Sequence, residues 1–174
     1  MSVQLAVAPI AWSNSDLPQL GGDTPLETCL RESREAGFTG TESGAKYPMD
    51  PEKLGPLLQE YDLKLASGWF SGTLRECTVD EEWENLQEML YTFKSLQAPV
   101  LVYAETSRSV QTKQQIPVSQ RPVMPDEEYP EYGRKLTEIA DRMADYGVPM
   151  VYHHHMGTVI ETEREVDLLM ANTG

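Results

Sequence analysis

Three consecutive histidines, His153, His154 and His155, are the only imidazoles in the chain. They close an apolar run, Val148 to Tyr152, that reads as a short buried strand. Imidazole exchanges protons near neutrality and binds metals, so the three together suggest acid-base or metal chemistry. If the strand continues through them, alternation puts His153 and His155 on one face and His154 on the other. A run of three in the chain interior is neither placed nor sized like a purification tag. Histidines satisfied by core hydrogen bonds are the competing reading. A Gly157-Thr158 turn follows, and an acidic helical stretch opens at Glu161.

The elements that would position these residues alternate strictly. Apolar runs at Leu5 to Trp12, Phe38 to Gly44, Leu63 to Phe70, Pro99 to Glu105 and Val148 to His155 read as strands. Amphipathic segments separate them. The first follows a capping-box pattern, Thr24-Pro25-Leu26-Glu27, with Leu26, Cys29, Leu30 and Ser33 on one face and Gly37 as the stop. Asp50 can cap a second helix at Pro51, with Leu54, Leu57, Leu58 and Tyr61 inward and Pro56 expected to bend or shorten it. Thr78 to Glu81 is a further capping box, ahead of a stripe of Trp83, Leu86, Leu90 and Phe93. A fourth helix carries Tyr132, Leu136, Ile139, Ala140 and Met143, its start delayed by Pro130 and its end set by Gly147. A fifth, from Glu161 or Thr162, is expected to bury Val166, Leu169 and Met170.

Such alternation argues for an α/β fold with parallel strands and helical crossovers. Either an open doubly wound sheet or a (β/α)8 TIM barrel would satisfy it. No Gly-rich phosphate fingerprint follows the first strand, which weakens a nucleotide-binding version. Polar and aromatic residues gather at the C-terminal ends of the runs instead, where a barrel builds its active site: Asn14, Glu42, Trp69, Tyr103, Glu105 and the histidines. The segment Thr106 to Met124 has no period, and its departure from Glu105 reads as a lid or active-site loop rather than a disordered excursion.

Composition narrows the partners. With 174 residues and 40% hydrophobic content the chain can bury a core as one domain. A formal charge of -14 repels nucleic acid and anionic membranes. The acidic clusters Asp80-Glu81-Glu82 and Asp126-Glu127-Glu128 read as solvated helix faces. No run reaches the roughly 18 apolar residues of a membrane span, and the N-terminus has no basic start to suggest a signal peptide. Cys29 and Cys77, far apart in the sequence, read as reduced thiols of a cytoplasmic protein.

Four segments then carry a family resemblance: IAWSNSDLPQLGGDTPLETCLRESREAGFTGTESGAKYP, SGWFSG, VYAETSRSVQ and VYHHHMGTVIETEREVDLLM. Together, from about Ala8 to the last residue, they resemble inosose dehydratases of the xylose-isomerase-like TIM barrel superfamily. The resemblance implies a (β/α)8 barrel, of which this chain supplies about the first five βα units. It also implies a divalent metal, manganese or cobalt, and the conversion of a cyclitol ketone, 2-keto-myo-inositol, to a trihydroxycyclohexane dione plus water. Many relatives place a glutamate, the first metal ligand, at the end of strand five, where this chain has His153. Either that imidazole ligates, or Glu161 turns in from the following loop; Glu161 is equally read as the acid of a Thr158 to Glu161 capping box. The remaining ligands are expected beyond Gly174.

Dehydration beside a ketone needs carbonyl polarisation, removal of a neighbouring C–H proton and protonation of the leaving hydroxyl. His153 and His155 are the candidate acid and base. Glu42 and Glu105, at strand ends, could bind polyol hydroxyls. Lys46 could hold the ketone oxygen or be a solvated loop lysine, and Trp69 could stack on the ring or belong to the core. Asn14 is included as a substrate contact from its WSN segment. A sugar or cyclitol isomerase or epimerase on the same barrel is the alternative activity. A catalytically silent fragment that pairs with another chain is a further one, because an open five-stranded sheet has exposed edges that favour homo-oligomers.

Overall fold

A computed structural model describes residues 3–174. Its five strands form one sheet in the order β1-β2-β3-β4-β5: Ala6–Val7, Gly40–Ser43, Lys64–Gly72, Leu101–Glu105 and Met150–Tyr152. β1 to β2 and β2 to β3 pair in parallel. A helix follows each strand: α1 Leu26–Glu35, α2 Pro51–Glu60, α3 Val79–Ser95, α4 Tyr129–Tyr146 and α5 Glu163–Asn172. The alternation expected from the sequence is therefore present throughout.

Two compact units make up the chain, one of Met1–Trp69 with Glu88–Leu101, the other of Phe70–Gln87 with Val102–Gly174. In the first unit the core holds Leu30, Leu54, Leu58, Leu65, Leu90, Phe93 and Leu101, all buried. Burying side chains of this size stabilises by about 1.5–3 kcal/mol each. Cys29 lies in the same interior, and Cys77 of the second unit is half-buried; both are free thiols. Leu86, Tyr103, Tyr129, Ile139, Met143, Val159 and Ile160 are buried in the second unit.

Several element boundaries depart from expectation. The first run is a strand only at Ala6–Val7, because Pro9 supplies no N–H to a ladder and starts a 3-10 turn at Pro9–Ala11. The Thr24 capping box does not form: Pro25 stands at the N-cap of α1 with no side-chain cap. α2 is capped by Asp50, whose side chain accepts from the Glu52 amide at 3.0 Å, and it runs ten residues straight through the exposed Pro56. The third capping box does form, with Thr78 N donating to Glu81 at 2.8 Å and Glu81 N to Thr78 Oγ1 at 3.2 Å. Pro130 does not delay α4 but sits in its first turn, where no hydrogen bond is lost. α5 is capped by Thr162 with Glu165, one turn beyond the Thr158 pattern, and Met170 is 70% exposed rather than buried.

Two local devices matter for the site. Between β2 and β3 the register shifts at Thr41/Glu42, so that Glu42 lies opposite Ser67 rather than Ala66. Such an extra residue re-aims the side chains that follow it. At the end of β3, Gly72 admits the ring of Tyr103, since a Cβ there would stand 2.0 Å from Tyr103 Cζ and 2.1 Å from its oxygen.

Candidate functional site

The histidines do not continue the strand. β5 ends at Tyr152, and the chain leaves it for a turn, so the two-faced alternation of His153 and His155 against His154 is not realised. All three rings gather, with centroids 6.1 Å apart for His153 and His154 and 5.7 Å for His153 and His155. The backbone fixes the run at both ends. His153 N donates to the Tyr103 carbonyl at 2.8 Å, and His155 N donates to the Ile160 carbonyl at 3.0 Å. His155 Nδ1 lies 2.8 Å from the Met156 carbonyl. His153 and His154 are exposed to solvent and His155 is half-buried.

The turn after the histidines is built by Gly157 and Thr158. Gly157 has φ +82, a conformation glycine adopts without strain, and a Cβ there would stand 2.8 Å from the Gln111 amide nitrogen. Thr158 Oγ1 donates to the His155 carbonyl at 2.7 Å. Glu161 Oε2 accepts from Gly157 N at 2.7 Å and lies 3.3 Å from Arg121 Nε. The same guanidinium donates to Glu165 at 2.7 Å and to the Thr158 carbonyl at 3.0 Å. Glu165 is 4% exposed. Burial pushes its carboxyl up, but hydrogen bonds from the Thr162 amide, Arg121 and the Glu161 amide outweigh that and hold it below the usual carboxylate range.

Glu161 is thus the partner of an arginine and an amide, both on Oε2. Among the described residues no group of three His, Cys, Asp or Glu side chains stands together as a metal site. The described residues do not hold a complete metal centre.

Glu105, at the end of β4, is 1% exposed. Its carboxylate accepts from Ser107 N at 2.9 Å and Arg75 N at 3.1 Å, which ties together the loops after β3 and β4. Burial raises its pKa against the lowering effect of those bonds, and Glu82 adds to the rise. Burial first, and then this carboxyl among its neighbours, also raise the phenols of Tyr103, Tyr132 and Tyr152. Ser107 Oγ and Gln111 Oε1 are buried with no hydrogen-bond partner among the described residues.

In the first unit, Glu42 is half-buried and accepts from Ser67 Oγ at 2.5 Å, the pairing that the register shift creates. Lys46 Nζ donates to the carbonyls of Gly22 at 2.8 Å, Gly21 at 3.4 Å and Thr24. It therefore fastens the glycine turn before α1. Asn14 Oδ1 accepts from the amides of Asp16 and Leu17, each at 2.9 Å, and shapes its own turn. Trp69 is half-buried on β3.

Sequence reasoning missed Arg121, Glu165 and Glu82. The spacing of Glu161 and Glu165, four apart at a helix start, was the available sign that a cation would sit between them. Glu82 reads as one of three solvated acids but is fully buried, because it lies four residues before Leu86 on the inward stripe of α3.

Strand order and strand-helix alternation define the class: the fold is that of the xylose-isomerase-like (β/α)8 barrels, with five strand-helix units in this chain. Such a barrel from Mycobacterium smegmatis, in complex with magnesium, superposes with a TM-score of 0.66 at 17% identity, over 97% of this chain and 60% of that one. The sequence narrows the class further. It is 50% identical over 174 residues to the rhizopine catabolism protein MocC of Rhizobium meliloti, covering 100% of this chain and 54% of that protein. It is 38% identical over 172 residues to the inosose dehydratase of Geobacillus thermodenitrificans, covering 98% of this chain and 58% of that enzyme. The chain therefore resembles inosose dehydratases along nearly its whole length, and it spans a little over half the length of the curated relatives it matches. No family model matches the sequence. Among the described residues, no helix is long and apolar enough to cross a membrane.

Proposed function

We propose that this chain acts in the dehydration of a cyclitol ketone, 2-keto-myo-inositol, as an inosose dehydratase-like hydro-lyase of the cytoplasm. The observation that carries the reading is the match to inosose dehydratases at 33–38% identity over 97–99% of the chain. The exposed cluster of imidazoles at a strand's C-terminal end supports it, since barrel enzymes do their chemistry at that end.

In this reading one imidazole of His153 and His155 takes the proton from the carbon beside the ketone. The other delivers a proton to the hydroxyl on the next carbon, which leaves as water. The resulting enol tautomerises to the dione, so the reaction releases one water and changes no oxidation balance. Ser107 Oγ and Gln111 Oε1 are buried acceptors and donors suited to polyol hydroxyls. Glu105 in the second unit, and Glu42, Lys46, Trp69 and Asn14 in the first, are kept as candidate substrate contacts; all but Trp69 also hold the local structure described above. Manganese or cobalt remains the cofactor expected from the resemblance, with His153 and Glu161 as candidate ligands. No step is assigned to it, because no group of three candidate ligands stands together among the described residues.

Incubation of the chain with 2-keto-myo-inositol and manganese tests the proposal. Formation of the trihydroxycyclohexane dione is expected. An epimerised cyclitol would replace the lyase by an isomerase, and no product from folded protein would leave the chain without this activity.

A further inference from the structure

The loop 106–124 is fastened to the histidine turn at two separate places, and the second fastening is a single side chain. At the first, Val110 N donates to the Gly157 carbonyl at 2.9 Å. At the second, Arg121 reaches three groups of the β5–α5 segment: the Thr158 carbonyl at 3.0 Å, Glu165 at 2.7 Å and Glu161 at 3.3 Å. Its side chain is only 12% exposed, so the interaction is partly withdrawn from screening. Two of these partners act on the histidine turn, Thr158 directly on His155 and Glu161 on Gly157, two residues further along. Glu161 holds Gly157 N, and the residue that offers its carbonyl, Thr158, holds the His155 carbonyl through Oγ1 at 2.7 Å.

We propose that Arg121 is a positioning residue: its guanidinium clamps the 106–124 loop onto the turn at 157–161 and thereby sets the orientation of His155 and, through ring packing, of His153. The inference rests on the proposed function for what the imidazoles do, but not for how they are held. Lysine at this position would keep the charge but not the planar fork that reaches two carboxylates and a carbonyl together. No other arginine or lysine bonds to Glu161 or Glu165 among the described residues.

The three histidines are the chain's only ones, so imidazole proton resonances report this turn alone. Their chemical shifts at fixed pH are compared for the unaltered chain, Arg121→Gln, Arg121→Lys and Glu161→Gln. Alongside, trypsin cleavage after Lys113 reports seating of the loop. In Arg121→Gln the signals of His155 and His153 are expected to move and broaden, and cleavage at Lys113 to quicken at least tenfold. Arg121→Lys is expected to restore the seating in part and the histidine signals only incompletely. Glu161→Gln, which keeps an acceptor for Gly157 N, should reproduce the histidine shifts in weaker form even if Arg121→Gln does not fold. Histidine signals identical to those of the unaltered chain in a folded Arg121→Gln or Glu161→Gln protein would overturn the proposal. None of these readouts needs turnover, so failure of the dehydratase reading leaves them interpretable.

Discussion

The phenol of Tyr103 donates to Glu82 Oε1 at 2.5 Å, in a space that exists because residue 72 is glycine. Glu82 is fully buried yet satisfied, since Thr73 N also donates to it at 2.7 Å and Asn85 and Cys77 approach its other oxygen at 3.5 and 3.7 Å. The carboxylate thus joins the end of β3, the start of α3 and the middle of β4 without leaving a buried polar group unpaired.

Gly72→Ala should therefore destabilise the chain by about 1–3 kcal/mol through overpacking against the Tyr103 ring. Tyr103→Phe should cost about 2 kcal/mol by removing a hydrogen bond to a charged acceptor. Urea midpoints measure both. A Gly72→Ala midpoint equal to the parent's would mean that the ring can move aside, contrary to the tight packing found here.

Glu105 makes a pH prediction with a definite sign. Its folded pKa is raised by burial, so between the unfolded and folded values the native state binds more protons than the unfolded state. Its contribution to stability accordingly falls as pH rises through and above the ordinary glutamate range. In Glu105→Gln that fall disappears, and the difference between parent and variant should grow in the variant's favour with pH. A constant offset runs the other way, because one amide oxygen cannot accept from both Ser107 N and Arg75 N. Stability curves from pH 4 to 8, taken at a few urea concentrations, separate slope from offset; parallel curves would contradict the burial argument.

Glu165 behaves oppositely. Despite its burial, the amides of Thr162 and Glu161 together with Arg121 hold its pKa low, so its stabilisation is present above the ordinary carboxylate range. It is lost as pH falls through the depressed folded value. Glu165→Ala also leaves Arg121, itself mostly buried, with one carboxylate fewer. Breaking a buried pair from one side costs about 3–5 kcal/mol. Thermal unfolding at pH 7 should register that loss, and the gap between variant and parent should narrow in acid.

How far the letters reached depends on which force decides each feature. Helix faces were legible because Leu54 and Leu58, or Leu86, Leu90 and Phe93, repeat at the helical period and their burial is enforced by water. Glu161 and the histidines were less so. Whether an apolar run stays a strand depends on ladder partners that are distant in sequence: past Tyr152, His153 N still bonds to Tyr103 O of β4, whereas His155 N turns to Ile160 O in its own turn. Arg121 was out of reach for the same reason: nothing in a polar, aperiodic loop marks which of its cations returns to a carboxylate forty residues later in the chain, about the separation found for Glu161. The capping boxes divide as well. Thr78 and Thr162 cap their helices through local bonds, whereas Thr24 lies one residue before the N-cap, which falls on Pro25.

The last prediction concerns the imidazoles. The rings of His153 and His155 are tilted by 39°, whereas His153 and His154 lie closer to parallel at 24°. His155 is held from both sides, by its amide bond to Ile160 and by Thr158 on its carbonyl, and His153 by its bond to Tyr103. His154 makes neither kind of tie among the hydrogen bonds described above. Fixed geometry is what a proton-transfer group needs, because the gain from general acid-base catalysis depends on reaching the transferring atom. His153→Ala and His155→Ala should each lower kcat for the dione-forming reaction by roughly 100-fold or more, the range typical of a lost acid or base. His154→Ala should lower it by less than about tenfold, as expected of a neighbour that only packs. Steady-state rates across pH 6 to 8 check this, and the two strong variants should also lose one limb of the pH profile. A His154→Ala protein as damaged as the other two would move the proton-transfer role to the cluster as a whole.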